Sequence, residues 1–358
     1  MAICESGKSS PPQPHVEQPA KRALFINTGR VLIGASIPPA IIKTMDTWHA
    51  SESLRYILNP PQEFGEDSSS IRLPAPTSPY QFLTFGDSFI QGYQEEVLDE
   101  DGVLVMKRKP EAAAIFEVLG KIKQKNPASP WVWHNNAQPG ETTKNMINYR
   151  LQPGAIEKDP SNPPTAILLS AGGNDARELL STYKDDLKNL LVENHIDFST
   201  PAKLVDLARK ILAGTVSYEE TFEQVVIALL NLRPTINVQQ IVIQGLPNMR
   251  FSQAAVLSDD TVIPIHGYRE REALASSLSI LLNNVMVRVQ EKLQAKSAVV
   301  VPLHFLNIFD LLGPDDFSGM HPNILGQRKI ADEYLRRFTV KAMSEELISL
   351  AEIDDTQI

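Results

Sequence analysis

Apolar residues in this chain fall into two kinds of run, and the alternation between them predicts the architecture. Short unbroken stretches at residues 82–85, 131–133, 166–169, 241–243 and 299–301 read as strands, and the most continuous of them, 166–169, as one buried on both faces of a sheet. Between them, apolar residues recur at three- and four-residue spacing. Residues 110–125 predict one helix, opened by Pro110 and carrying Ile115, Leu119 and Ile122 on one face. Residues 269–293 predict a long one, where Leu274, Leu278, Leu282, Val285 and Val289 form a core stripe. A last helix is expected at 324–338. Two β-prone runs around Asp101-Gly102, within residues 97–105, read as a hairpin. Strands followed by helices give an α/β fold, a three-layer α/β/α sandwich on a five-stranded, mostly parallel sheet.

Residues 176–234 depart from this rhythm with three helical patterns, the middle one starting at Pro201 and the last opening at a capping box, Ser217-Tyr218-Glu219-Glu220. That exceeds a simple crossover, so part of 182–213 either covers the site or forms a helical insertion on the surface. Residues 1–22, rich in Ser and Pro, are expected to be a disordered tail, with residues 23–79 an N-terminal extension and linker of no assigned function. Its apolar stretch at 23–42 holds Arg30 and Pro38-Pro39, which argues against a membrane span; a short helix is expected at 48–58 and a Ser/Pro-rich connector at 65–79. The main domain is placed at 80–340, and 341–358 is expected to be a loosely held helix and tail.

Composition narrows the partners. With 358 residues, 42% hydrophobic and 22% charged, the chain buries a full core as a soluble protein. A net charge of −9 and a pI near 5.4 argue against nucleic acid or an anionic membrane and for a small or neutral molecule. The lone cysteine, Cys4, leaves no intrachain disulfide and no zinc-type cluster, and neither a metal nor another cofactor is indicated. The N-terminus lacks the apolar core of a secretory signal, so a cytoplasmic location is expected. Oligomeric state is not encoded in any of these features.

The candidate chemistry begins where the strand pattern at 82–85 stops at Gly86-Asp87-Ser88, a tight turn that would leave a serine hydroxyl at the carboxyl edge of the sheet. The elbow Gly-x-Ser-x-Gly fails, since Ile90 stands two residues after Ser88. Three further polar blocks end strands or open helices: Asn135-Asn136-Ala137-Gln138-Pro139-Gly140-Glu141-Thr142, Ser170-Ala171-Gly172-Gly173-Asn174-Asp175 and His321-Pro322-Asn323. In that order Ser88, Gly140, Asn174 and His321 resemble the four marker residues of the SGNH hydrolases, the superfamily containing the GDSL lipases and esterases, over about residues 80–338.

The resemblance implies a flavodoxin-like strand order, 2-1-3-4-5, and a division of labour. Ser88 would be the nucleophile, His321 its base, and the Ser88 amide, Gly140 amide and Asn174 side chain the oxyanion donors. The substrate would be an acyl ester of a small molecule, lipid or carbohydrate. One departure matters. The superfamily has an aspartate three residues before the histidine, and here that residue is Ser318, with Asp316 two residues farther back. Either Asp316 reaches His321 through a bulge at Gly319, or Ser318 or a backbone carbonyl orients the ring. Two readings stay open: a serine ester hydrolase, or a ligand-binding or scaffold protein that keeps the fold after its catalysis has decayed.

Overall fold

The computed structural model describes residues 59–65, 70–98, 104–109, 113–152, 154–182, 191–192, 195–196, 201–256, 262–265, 267, 269–296, 300–341 and 347–352. Five strands form the central sheet: β1 (Tyr80–Gly86), β2 (Trp131–Asn135), β3 (Thr165–Ser170), β4 (Val238–Gln244) and β5 (Leu303–Leu306). All neighbouring pairs are parallel, and the spatial order is 2-1-3-4-5. The expected sandwich and flavodoxin-like topology are therefore present, with a sheet that is wholly parallel. Because β1 is central while β2 and β3 flank it, the order reverses beside the carboxyl end of β1, where such sheets form their ligand crevice.

Alternation along each strand divides the core into two layers. Leu83, Phe85, Ile167, Leu169, Ile241 and Ile243 face α4 (Pro201–Leu230) and α5 (Arg269–Gln294), packing with Phe222, Val225, Val285 and Val289. Tyr80, Phe82, Ala166, Leu168 and Val242 face α2 (Ala114–Lys125) and α6 (Ile324–Arg337), packing with Ile115, Val118, Ile330 and Tyr334. Two shorter helices complete the frame around the site: α1 (Ser88–Gln91) and α3 (Gly173–Thr182).

Several expectations change. The last strand is Leu303–Leu306 instead of 299–301. Pro302 has no N–H to give a ladder, but its carbonyl accepts from Ile241 N at 3.0 Å, so pairing starts behind it, while Val300 stays 68% exposed. Residues 201–230 are one helix: Ser217 lies inside it, and its carbonyl accepts from the Thr221 hydroxyl at 3.2 Å. The capping signal is overridden by packing, since Tyr218 and Phe222 are buried and Gly214 abuts the Leu179 side chain. The 30-residue helix is no surface insertion in its second half, which forms part of the core. A two-residue pairing, Leu191–Val192 with His195–Ile196, stands where only helix was expected. Most of the remaining segment expected to cover the site, including 183–190 and 197–200, lies outside the described residues.

The ends of the domain are tied together. Ile71–Leu73 pairs in parallel with Phe338–Lys341, which pairs antiparallel with Leu347–Ser349. Leu347–Ser349 is thus a strand, not the expected helix, because Leu350 is buried and its amide donates to Phe338 O at 2.8 Å. Phe64 is buried against Phe305 and Phe309 at ring-centroid distances of 6.1 and 5.4 Å. The tail at 1–22, the stretch at 23–42 and the helix at 48–58 fall outside the described residues, as does the Asp101-Gly102 turn. The strands of that hairpin, Tyr93–Leu98 and Leu104–Lys109, pair antiparallel directly after α1. No helix among the described residues is long and apolar enough to cross a membrane.

Candidate active site

Ser88 is the first residue of α1, immediately beyond the end of β1, and is 5% exposed. Its amide therefore belongs to the first turn, where helix N–H groups have no intrahelical acceptor. The turn is held by Asp87, the N-cap of α1. Its carboxylate accepts from Phe89 N at 3.0 Å and, across to the next strand's loop, from Gly173 N at 3.2 Å. Gly86 makes the approach possible: its φ is +130°, and a Cβ there would collide with the Ser170 carbonyl of β3. The Asp87 amide donates to that same carbonyl at 3.0 Å. Burial pushes the Asp87 carboxyl up to about 7, against the pull of the Phe89 amide, and the nearby Asp175 charge adds to the rise.

Gly140 lies on the loop leaving β2, and Asn174 in the first turn of α3, which follows β3 at the same edge of the sheet. The Asn174 side chain, 8% exposed, donates to the Glu141 carbonyl at 3.3 Å and so ties the two loops together. Gly140 is exposed in a turn where Glu141 N donates to Gln138 O at 3.2 Å. Beneath them, Asp175 accepts from Thr143 N at 3.1 Å and from its hydroxyl at 2.5 Å, and that hydroxyl lies 2.8 Å from the one on Thr221. Burial pushes Asp175 up to about 6. Burial also raises Glu141, which Arg150 contacts at 3.3 Å.

His321 arrives from the far end of the chain. Its Nε2 lies 2.7 Å from Ser88 Oγ, a hydrogen bond spanning 233 residues of sequence. It sits in a small hairpin in which Phe317–Ser318 pairs with His321–Pro322, putting Ser318 directly opposite His321. The intervening turn is Gly319-Met320, with Gly319 at φ +59°. Asn323 caps α6 by accepting from Leu325 N and Gly326 N, which fixes the chain just after the histidine. The ring packs near Phe89, with centroids 5.7 Å apart. Burial, followed by the Arg177 charge, lowers its pKa to about 4.

The structure thus gathers Ser88, Gly140, Asn174 and His321 at one edge, and it treats the two candidate orienting residues differently. Asp316 points elsewhere: its buried carboxylate accepts from Lys329 Nζ at 2.6 Å and Gly313 N at 2.7 Å. Ser318 is the cross-strand neighbour of His321, whose Nε2 is the ring nitrogen that meets Ser88. Sequence reasoning assigned no role to Asp87, Asp175 or Thr143. Asp87 and Asp175 lie inside the quoted blocks, but their use as buried acceptors depends on loops that meet only in three dimensions. Among the described residues no cluster of His, Cys, Asp and Glu is suited to hold a metal.

A wholly parallel 2-1-3-4-5 sheet with a hydrogen-bonded serine and histidine at its carboxyl edge defines an α/β/α protein with its site at the switch in strand order. The chain belongs to the GDSL-like Lipase/Acylhydrolase family, whose model matches residues 82–334, and this membership supports ester hydrolysis. Among solved structures, the acetylxylan esterase Axe2 from Geobacillus stearothermophilus is similar at 13% identity and TM-score 0.37, covering 72% of this chain and 93% of that one. LAE5, an alpha/beta hydrolase enzyme from the metagenome of Lake Arreo, Spain, is similar at 13% identity and TM-score 0.38, covering 71% and 93%. A comparison with curated proteins gives no match.

Proposed function

We propose that this protein is a serine ester hydrolase working through an acyl-enzyme on Ser88. The observation that carries the reading is the 2.7 Å contact between Ser88 Oγ and His321 Nε2. As Oγ attacks the ester carbonyl carbon, its proton passes to Nε2, and the carbonyl π electrons move onto oxygen. The oxyanion is received by the Ser88 and Gly140 amides and the Asn174 side chain. Collapse of the tetrahedral species breaks the bond to the alcohol oxygen, which takes the proton from Nε2 and leaves. Water then repeats the sequence, giving its proton to Nε2, attacking the acyl carbon and releasing the acid and Ser88.

With its pKa lowered to about 4, His321 is neutral over the whole neutral range and so free to accept the proton. Asp316 serves Lys329 and Gly313, and the work of orienting the imidazole falls to the Ser318–His321 hairpin. A neutral Ser318 stabilises the imidazolium less than a carboxylate does, which makes the enzyme slow. The uncharged Ser318 in the aspartate's position favours the second reading, a binding protein whose catalysis has decayed.

A fluorophosphonate probe and a panel of chromogenic esters decide between them. Labelling at Ser88 alone, with turnover falling by at least about 10⁴-fold in Ser88→Ala, is the expected result. An active protein that takes no adduct, or takes it on another serine, removes Ser88 from the mechanism. Absence of both adduct and turnover selects the binding protein.

A further inference from the structure

The chain neighbours of three site residues line one apolar cavity. Phe89 follows Ser88, Gly173 precedes Asn174 and Met320 precedes His321, and all three face the same space. Its far walls come from the loop after β4 and from α5, through Leu246, Met249, Ala275, Leu278 and Leu282. Of the side chains described there, Arg177 alone carries a charge. The cavity measures about 60 Å³. An apolar cavity of about 150 Å³ takes one benzene, so this one has room for about two to three methylene-sized groups.

We propose that this cavity is the acyl-chain site, and that the preferred substrate carries a linear saturated acyl group of about four carbons; this rests on the serine hydrolase reading above. Two features select the acyl chain over the alcohol. The carbonyl that the oxyanion donors receive belongs to the acyl group, and the helix that carries Asn174, α3, also supplies Gly173, Ala176, Arg177 and Leu180 to the wall. The acyl chain also stays attached through both half-reactions, whereas the space left by the alcohol must fill with water. An apolar cavity holds water poorly and a hydrocarbon chain well. Each methylene taken from water into such a site gains about fourfold in binding, so the two that separate acetyl from butanoyl give up to about 15-fold.

The test measures binding of methyl acetate, methyl butanoate and butyl acetate to the Ser88→Ala protein by ligand-observed NMR, with wild-type turnover of the same esters followed in parallel. Methyl butanoate is expected to bind at least about fivefold more tightly than methyl acetate, and more tightly than butyl acetate. Introducing Ala275→Phe should cut the butanoate-to-acetate ratio to under about twofold, and the smaller Ala275→Leu should give an intermediate ratio. Equal binding of methyl butanoate and methyl acetate overturns the proposal, as does butyl acetate binding as well as methyl butanoate, which would place the alcohol in the cavity. Selective butanoate binding without turnover in the wild type sinks the hydrolase reading while the chain site stands.

Discussion

Ser88 and Asn174 hang on a frame of buried hydrogen bonds, whereas His321 rides on a two-residue hairpin at the rim of the same crevice. On the serine side, Asp87 joins the turn after β1 to the turn after β3, and Asp175 joins α3 to Thr143. Each of these carboxylates is held by backbone amides that the sheet delivers, so the geometry is set by the core of the domain. On the histidine side, the ring is placed by a short pairing, by the Asn323 cap and by contact with Phe89. The candidate site therefore combines a tightly held Ser88 and Asn174 with a histidine whose orientation rests on fewer contacts.

The largest test of this asymmetry is a pair of glycine substitutions. Gly86→Ala must place a Cβ into the Ser170 carbonyl at φ +130°, and is expected to destabilise the fold by more than about 3 kcal/mol or prevent folding. Gly319→Ala, at φ +59°, asks only for a left-handed residue in a half-buried turn and should cost about 1–2 kcal/mol. Comparable urea midpoints for the two would show that both sides are equally framed.

Asn174→Ala comes next, with kcat expected to fall about a hundredfold while the thermal midpoint changes little. Asn174 is the second residue of α3 and its side chain donates to the Glu141 carbonyl, so it does not cap the helix. A variant that keeps its kcat but loses about 1 kcal/mol of stability would confine Asn174 to holding the two loops together.

Ser318→Asp should strengthen the weaker side. Directly opposed residues in an antiparallel pair have Cβ atoms about 4.5–5.5 Å apart, close enough for a carboxylate to meet the imidazole. The expected gain in kcat is about tenfold, accompanied by a shift of the acid limb of kcat/KM. On the proposed mechanism neutral imidazole is the active base, so activity should rise with pH through the His321 pKa, lowered to about 4 by burial and the Arg177 charge. A neighbouring carboxylate stabilises the imidazolium, raises that pKa and moves the limb to higher pH. A kcat gain with an unmoved limb would point to some other cause.

Asp316→Asn should affect activity least, changing kcat by less than about twofold. Its effect belongs to stability, about 1–2 kcal/mol at most, because Lys329 is 49% exposed and screened by solvent. A collapse of activity with folding intact would make Asp316 part of the catalytic unit after all.

The sequence by itself determined the layers and the order in which the candidate site residues appear. Buried parallel strands must be continuously apolar and their helices one-sided, so both patterns are written locally and survive in β1 to β4, α2, α5 and α6. Ser88, Gly140, Asn174 and His321 were legible because each ends a strand or precedes a helix, where turn-forming residues stand out against an apolar background. Tertiary structure alone decided the rest. Whether Ser217 starts a helix depends on what Tyr218 and Phe222 bury, and whether 299–301 pairs depends on Pro302 and its neighbour β4. The use of Asp316 by Lys329, the bridging of two loops by Asp87 and the apolar cavity beside the site all join residues far apart in the chain. Local propensity carries no information about such contacts, because their energies arise only when distant segments are packed together and water is removed.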